Sequence, residues 1–579
     1  MLSFHQRLAT GLCAVVAGAL IWAGAAWGPR PVPQLSVPPA PVRFEGANAV
    51  EYTRVVAEEF PDRVTGTPPA RRAAEYLRAE FRKLGYEVSS PTFSMWLRGE
   101  RVQGENVVAW LAGESPQSVA VLAHYDGQLT SREAAEDNAS GVGVLLELAR
   151  VLRQGPRHRG LILVADDAEE WGMIGARELT GLLKTRQTVA VISLDYLTAG
   201  PAPWLEMSCM GQFGGYTPLW LRQLLVASGR AQGARIEQVT GRGEWIERAV
   251  EVSSQDQGPL LRSGIPALNL ATHSLDIEAE RARYHSPEDV FRNFDPAAFQ
   301  LLGSTVEQAV TALNAFSPPA PGTTGDFQTS PDRYLPSALM GGLQMLGLLP
   351  IVLAAFFVAR NFAAENIELR GWRFLVPGSW VIPLCLAVLL LYALTGLNIL
   401  PRFELYPATP KDPFLYHLPI ALIAGLAIVT GAGFVELRKL LARVEVPPTP
   451  FGVRKRILFL WVAIVALLAF LDNPYAMGLF LGGFAYATLL LQPPRGAASR
   501  AINAALLIAA ATPFAALLYS FGKELFLGWR ITWYLVLQAA YGVWSPLAVA
   551  LFLLAVVLGV QLFWISVVQR DQHVAKRPA

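Results

Sequence analysis

Five short segments near the middle of this 579-residue chain gather the residue types that bind divalent metal ions: His124-Tyr-Asp126, Asp137-Asn138-Ala-Ser-Gly141, Glu169-Glu170, Asp195 and Tyr284-His285. Zinc accepts imidazole nitrogen and carboxylate oxygen in a roughly tetrahedral shell, and one carboxylate can bridge two such ions about 3.5–4 Å apart. Two His, two Asp and one Glu supply two ligands to each of two ions plus one shared bridge. The first carboxylate of the Glu169-Glu170 pair is then left over for proton transfer. Water bound to such a centre has its pKa lowered to about 7, so a neighbouring carboxylate can finish the deprotonation and deliver hydroxide to a carbonyl. The chemistry is two-metal hydrolysis.

Taken singly, each segment has a plainer meaning. A His-x-Asp is ordinarily a hydrogen-bonded surface or core pair, and a Glu-Glu pair ordinarily a solvated face. The ordered conjunction of all five, each at a strand end or in a turn-rich loop, is what makes a metal site. Val119–Ala123 precedes His124, Leu161–Ala165 precedes the Glu pair, and Val189–Leu194 precedes Asp195. Short continuous apolar runs of this kind suit parallel strands covered on both faces. Helical patterns at Gly143–Leu152 and Ala176–Leu183 lie between them, so the chain reads as α/β with βαβ units. In open α/β sheets ligands bind outside the carboxyl ends of the strands, where these acids and imidazoles fall.

The set resembles the M28 family of zinc peptidases, mostly aminopeptidases, over residues 47–315. Other family-like stretches are Arg63-Val-Thr-Gly-Thr67, Leu84-Gly85-Tyr86 at the end of an amphipathic helix, the strand Asn106–Ala109, Gly264-Ile-Pro-Ala267 and Tyr284-His-Ser-Pro-Glu-Asp289. The resemblance implies a zinc-exopeptidase-like fold, a mixed, mostly parallel sheet flanked by helices. It further implies that His124 and Asp195 hold one zinc, Glu170 and His285 a second, and that Asp137 bridges them. Glu169 would be the general base, and Asp126 would orient His124. A cis peptide before Asn138 is also implied. One departure stands out: many members carry Ser-Asp-His upstream of the Gly-Ile-Pro segment, whereas this chain reads Ser253-Ser-Gln-Asp256-Gln-Gly258. That segment is not counted among the ligands, but the change bears on the shape and polarity of the substrate pocket.

Other titratable residues take other parts. Asp166 and Asp167 read as strand-end and turn acids, and His158 as part of an exposed turn. His273 reads as structural, with a place on the cleft wall as the alternative. His5, His417 and His573 lie in the tails or at a membrane boundary.

An apolar fraction of 53% is concentrated after Leu335, in runs near the roughly 20 residues that cross a bilayer. Spans are expected at 336–359, 375–399, 414–435, 457–472, 475–492, 502–521 and 544–567, an all-α polytopic domain of seven helices. An earlier run, Leu8–Trp27, reads as an anchor, with a signal peptide cleaved near Ala23–Ala26 as the alternative. Leu525–Tyr541 reads as interfacial, with a ninth span as the alternative. The organisation is therefore an anchor or signal segment (1–28), a Pro-rich linker (29–45), a peptidase-like domain (46–316), a second linker (317–335), the seven-span domain (336–569) and a tail (570–579). Basic loops containing Arg360, Arg370, Arg373, Arg438, Arg454 and Arg500, and the basic tail, all fall on the cytoplasmic side when the 46–316 domain is exported.

A net charge of +2 gives no electrostatic footprint for nucleic acid, and of three cysteines only Cys209 lies in the exported domain, so no internal disulfide is expected there. The partners expected are peptide substrates and the lipid bilayer, with oligomeric state left open. The polytopic form also resembles endoplasmic-reticulum, vacuolar and bacterial membrane members of the family. Arg outnumbers Lys, and the one Asn-x-Ser/Thr match, Asn138-Ala-Ser140, sits inside the metal motif, which points to a bacterial plasma membrane with the domain facing the periplasm or exterior. The function expected is a two-zinc, membrane-anchored aminopeptidase. A one-zinc aminoacyl cyclotransferase and a non-catalytic receptor or assembly protein are the alternatives, and the last is disfavoured because no metal or base position is lost.

Overall fold

The computed structural model describes residues 3–35, 37, 41–97, 100–154, 157–202, 204–292, 294–315, 325–364, 390, 393, 431–433, 435, 450–524, 528, 531 and 544–568. Two compact units emerge, one containing Arg30–Ser337 and the other combining Met1–Pro29 with segments from Ala338 onward.

The first unit is built on an eight-stranded sheet. Its order is β10 (Ile236–Gln238), β9 (Leu205–Ser208), β11 (Ala267–Thr272), β8 (Thr188–Leu197), β6 (Ser118–His124), β7 (Gly160–Asp166), β5 (Val107–Leu111) and β2 (Glu87–Ser89). The central strands β11, β8, β6 and β7 are mutually parallel, and antiparallel pairings flank them on both sides. The sheet is mixed around a parallel centre, as the fold class requires.

All seven residues of β6 and all seven of β7 are buried, which is why both read as unbroken apolar runs. Alternate side chains serve opposite faces. Val121 packs with α2 (Gly46–Glu59), α4 (Ser140–Leu152) and α10 (Pro296–Ala315), while its neighbour Leu122 packs with Leu179 of α5 (Ile174–Thr185) and Leu260 of α8 (Gln257–Arg262). The remaining helices of this unit are α3 (Pro68–Lys83), α6 (Leu219–Ala231), α7 (Arg242–Val250) and α9 (Ile277–Arg283), and a hairpin, β3 (Thr92–Leu97) with β4 (Glu100–Glu105), stands beside the sheet.

The stretches expected as linkers contain paired strands. β1 (Arg30–Pro31) pairs antiparallel with β13 (Arg333–Leu335), which pairs with β12 (Phe327–Ser330). Pro31 lacks an N–H and is tolerated because β1 is an edge strand. Strands this short carry no hydropathy period, so the Pro-rich composition hid them.

In the second unit four described helices are long and apolar enough to cross a bilayer: His5–Trp27 within α1 (Phe4–Trp27), Ser337–Ala364 (α11), Ala497–Ser520 and Leu547–Val568. The expected span 457–472 lies within the helix Phe451–Asp472. The expected span 475–492 is broken into Pro474–Phe480 and Gly482–Leu490. Asn473 starts the first of these, its Oδ1 accepting from the backbone N–H of Tyr475 and Ala476 at 2.9 and 3.1 Å, with Pro474 in the first turn. The stretches 375–399, 414–435 and Leu525–Tyr541 lie almost entirely outside the described residues.

Candidate metal centre

The parallel register brings the site together. His124 and Asp166 end β6 and β7 side by side, the Glu169-Glu170 turn follows β7, and Asp195 lies near the end of β8 on the other side of β6. Asp137 comes from the turn before α4 and His285 from the residues after α9. Both loops are held by buried polar partners. Asp289 accepts from the backbone N–H of Glu136 and Asp137 at 2.7 and 3.3 Å and from Ser131 Oγ at 3.1 Å. Glu136 accepts from Arg283 Nε and Nη2 at 2.9 Å each and from the Ala199 N–H at 2.7 Å, tying α9 to the end of β8. Arg63, completely buried, donates to the carbonyls of Tyr125, Glu133 and Ala134.

Asn138 completes the turn. Its Nδ2 donates to the Leu194 carbonyl at 2.9 Å, and its Oδ1 accepts the Gly141 N–H at 3.0 Å. A Cβ at position 141 would lie 2.5 Å from Asn138 Oδ1 and 2.8 Å from the Leu194 carbonyl oxygen, so this approach requires glycine. The Asp137–Asn138 peptide is cis, as the resemblance implied. Ala134, Ala168, Tyr196 and His285 have positive φ, a left-handed conformation that non-glycine residues adopt at a cost and that gathers here around one site.

Two groups of donors result. His124, Asp137 and Asp195 offer atoms all within 4.8 Å of one another, and so do Asp137, Glu170 and His285. His124 Nε2 lies 3.3 Å from Asp137 Oδ1 and 3.3 Å from Asp195 Oδ1. His285 Nε2 lies 3.1 Å from Asp137 Oδ2 and 3.1 Å from Glu170 Oε2. Ligands placed about 2.0 Å from one tetrahedral ion stand about 3.3 Å apart, so these separations are compatible with groups sharing an ion. The two oxygens of Asp137 face different imidazoles. His285 Nε2 and Glu170 Oε1 are buried without a hydrogen-bond partner, and buried polar atoms in that condition call for an ion or water. The donor set is nitrogen and oxygen only, which suits zinc.

Glu169 belongs to neither group; its Oε2 lies 3.9 Å from His124 Nε2. Asp126 does more than sit beside His124, whose Nδ1 lies 3.2 Å from the Asp126 carbonyl oxygen and 3.5 Å from its carboxylate. That carboxylate also accepts the N–H groups of Glu169 and Glu170 at 3.1 and 3.3 Å, so it holds the Glu pair against the end of β6.

The electrostatics are those of crowded buried acids. Burial pushes the Glu170 carboxyl up to about 7 and the Glu169 carboxyl well above its ordinary range, with His124 opposing the latter. Burial also acts to raise Asp137, but the His124 and His285 imidazoles facing it outweigh burial and hold this carboxyl below the usual range. Burial would lower His285, yet Glu170 and Asp137 raise it to about 10. Divalent cations would compensate the same carboxylates.

The remaining sequence assignments have distinct places. Asp167 accepts from Thr65 Oγ1 at 2.7 Å and from the Glu105 N–H at 3.0 Å, the bonding of a turn acid. Asp166 is buried, and burial pushes its carboxyl up to about 7. His158 is exposed, 3.7 Å from Glu114. Arg63 and Asp289 escaped assignment from sequence because their partners are largely backbone groups far along the chain, and Glu136 because its main partner, Arg283, lies 147 residues away. Asp256, in the departing segment, is buried and electrostatically linked to Asp166, Asp195 and Glu169.

Fold and site define an α/β domain that gathers two metal-capable groups around a shared aspartate at the carboxyl ends of parallel strands. Residues 106–310 match the model of Peptidase family M28, and the chain carries a domain of that family. It is similar to the alkaline phosphatase isozyme conversion protein of Escherichia coli, 34% identical over 188 residues that cover 28% of this chain and 53% of that protein. Aminopeptidase YwaD of Bacillus subtilis is 27% identical over 198 residues, covering 34% of this chain and 41% of that protein. The chain thus spans about half, or less, of these curated relatives. Among solved structures, a Porphyromonas gingivalis glutaminyl cyclase aligns with TM-score 0.41 and 22% identity, over 47% of this chain and 100% of its own. BSAP, a zinc aminopeptidase from Bacillus subtilis, aligns with TM-score 0.40 and 16% identity, over 47% of this chain and 96% of its own.

Proposed function

We propose that the protein is a membrane-anchored zinc aminopeptidase that releases the N-terminal residue of peptides. The observation that carries this reading is the placement of the two Asp137 oxygens, 3.3 and 3.1 Å from two different imidazoles. His124 and Asp195 would hold one zinc, Glu170 and His285 the other, and Asp137 both. Zinc bound there supplies Lewis acidity and makes water a nucleophile near neutral pH. Glu169 takes the proton of the attacking water and returns it to the leaving amine, a role suited to a buried carboxylate of raised pKa held close to, but outside, the ligand groups. Asp126 fixes the His124 ring and the backbone of the Glu pair, so ligand and base keep one geometry.

Incubating the purified full chain with aminoacyl chromogenic substrates and with N-terminal glutamine peptides tests the reaction. Release of a free N-terminal residue is expected. Cyclisation of glutamine without such release would replace the peptidase by an aminoacyl cyclotransferase.

The four apolar helices suit a membrane protein. In our reading the 46–316 domain is exported and the basic loops and tail stay in the cytoplasm of a bacterium. Reporter fusions after Pro321 and near Asp412 are expected to register the exported side, and fusions after Arg373, Arg456 and Ala579 the cytoplasm. An exported C-terminus would make Leu525–Tyr541 a further span and overturn the eight-span topology.

A further inference from the structure

Arg222, in the first turn of α6, is completely buried, yet most of its guanidinium has nothing to bond. Nη1 donates to Glu244 Oε2 at 2.9 Å, while Nε and Nη2 have no hydrogen-bond partner among the described residues. These two nitrogens form one edge of the guanidinium, so both orphaned donors face the same way, in the paired arrangement that arginine offers to anions. A charged donor left unpaired in the interior is among the costliest groups to bury, and its survival there calls for a bound species. A second feature points to negative charge. α6 starts after Pro218, and among the described residues no side chain caps its N-terminus, where unpaired N–H groups and the helix dipole attract anions. Side chains of a first turn lean back toward that end. The Arg222 guanidinium does so, lying 5.2 Å from the ring of Tyr216, which precedes the helix.

The place is remote from the metal centre. Thr217 Oγ1, beside the start of α6, donates at 2.6 Å to the carbonyl of Ala267, the first residue of β11, whereas Asp195 lies near the far end of the parallel strand β8. The six residues of β11 between them span about 20 Å. The walls restrict the ligand. Glu244, also completely buried, takes the Arg222 bond on Oε2 and bonds from Arg248 Nε and Nη2 on Oε1 at 2.9 and 2.7 Å, and Glu247 accepts from the Tyr216 hydroxyl. Two carboxylates so close disfavour a multivalent anion, and enclosure disfavours a bulky one. A small, singly charged anion that sheds its water is the chemistry that remains.

We propose that the orphaned edge of Arg222 and the N-terminus of α6 bind one chloride ion. The site is independent of the peptidase reading above. Its role is structural: Glu244 Oε2 also accepts the Gln328 N–H at 3.1 Å, and Arg248 Nη2 donates to the Asp326 carbonyl at 2.7 Å, so an ion that fixes Arg222 steadies the knot fastening β12 to α7. The competing occupant is water, which would accept from Arg222 and donate to Gln328 Oε1, a buried acceptor without a partner in the same knot.

Thermal unfolding of the zinc-loaded full chain tests this, with sodium chloride titrated against sodium gluconate at constant ionic strength. A saturable rise in the unfolding midpoint is expected, roughly 2–4 °C once chloride stands about tenfold above its dissociation constant, and bromide should reproduce it. Arg222→Lys keeps a cation beside Glu244 but removes the paired N–H edge, so it should lose most of that rise. In crystals soaked in bromide, an anomalous peak is expected within hydrogen-bonding reach of Arg222 Nε and Nη2. Equal midpoints in chloride and gluconate, a linear drift that Arg222→Lys shares, or water in place of bromide at the Arg222 edge would each overturn the assignment. If Arg222→Lys does not fold, the wild-type titration and the bromide map decide between ion and water.

Discussion

Glu169→Gln is expected to keep its zinc and lose turnover by roughly 10²-fold to 10⁴-fold, the range for removing a general base. Glu169 lies in neither ligand group, and its nearest approach to a ligand nitrogen is 3.9 Å, to His124. Glutamine preserves the shape and the backbone N–H bond to Asp126 but cannot take a proton from water. The adjacent change separates the two roles. Glu170→Gln weakens a group 3.1 Å from His285 Nε2, so it should lower zinc content as well as activity. Metal analysis beside steady-state kinetics distinguishes them. A Glu169→Gln enzyme with normal zinc and near-normal turnover would show that no carboxylate is needed at that position.

Asp137→Asn should be more damaging, because this one side chain belongs to both donor groups. Its two oxygens lie 3.3 Å from His124 Nε2 and 3.1 Å from His285 Nε2. Asparagine offers one neutral oxygen and one N–H₂ group, which cannot ligate, so at least one centre loses a ligand and the other its bridging charge. Zinc affinity is expected to fall by more than the roughly 10- to 100-fold typical of losing an outer partner, and peptidase activity to fall to background. Circular dichroism and thermal unfolding identify protein that has merely failed to fold. A folded variant that keeps two zinc ions would mean the centres are independent.

The parts of this protein legible in its sequence are those where one residue type has one physical use. The apolar runs before His124, Glu169 and Asp195 read as strands because β6 and β7 are buried along their whole length and β8 along most of it. The acids and imidazoles at their ends read as candidate ligands, and the fold brings them into two donor groups. Arg63 and Asp289 did not, since each bonds mostly backbone groups of loops distant in sequence, which leave no side-chain pattern. β1, β12 and β13 were hidden by brevity and by Pro31, and the break at Leu481 by uninterrupted hydropathy on both sides of it. His273 was read mainly as structural. Its two partners, Glu206 and Glu280, lie 67 residues before it and 7 after it, so only the folded chain shows the cluster.

The zinc content of the purified full chain, measured by elemental analysis at saturation, tests the shared-aspartate centre most directly. Two zinc ions per chain are predicted. Well-folded protein that saturates at one would contradict the bridge through Asp137 and favour the one-zinc cyclotransferase.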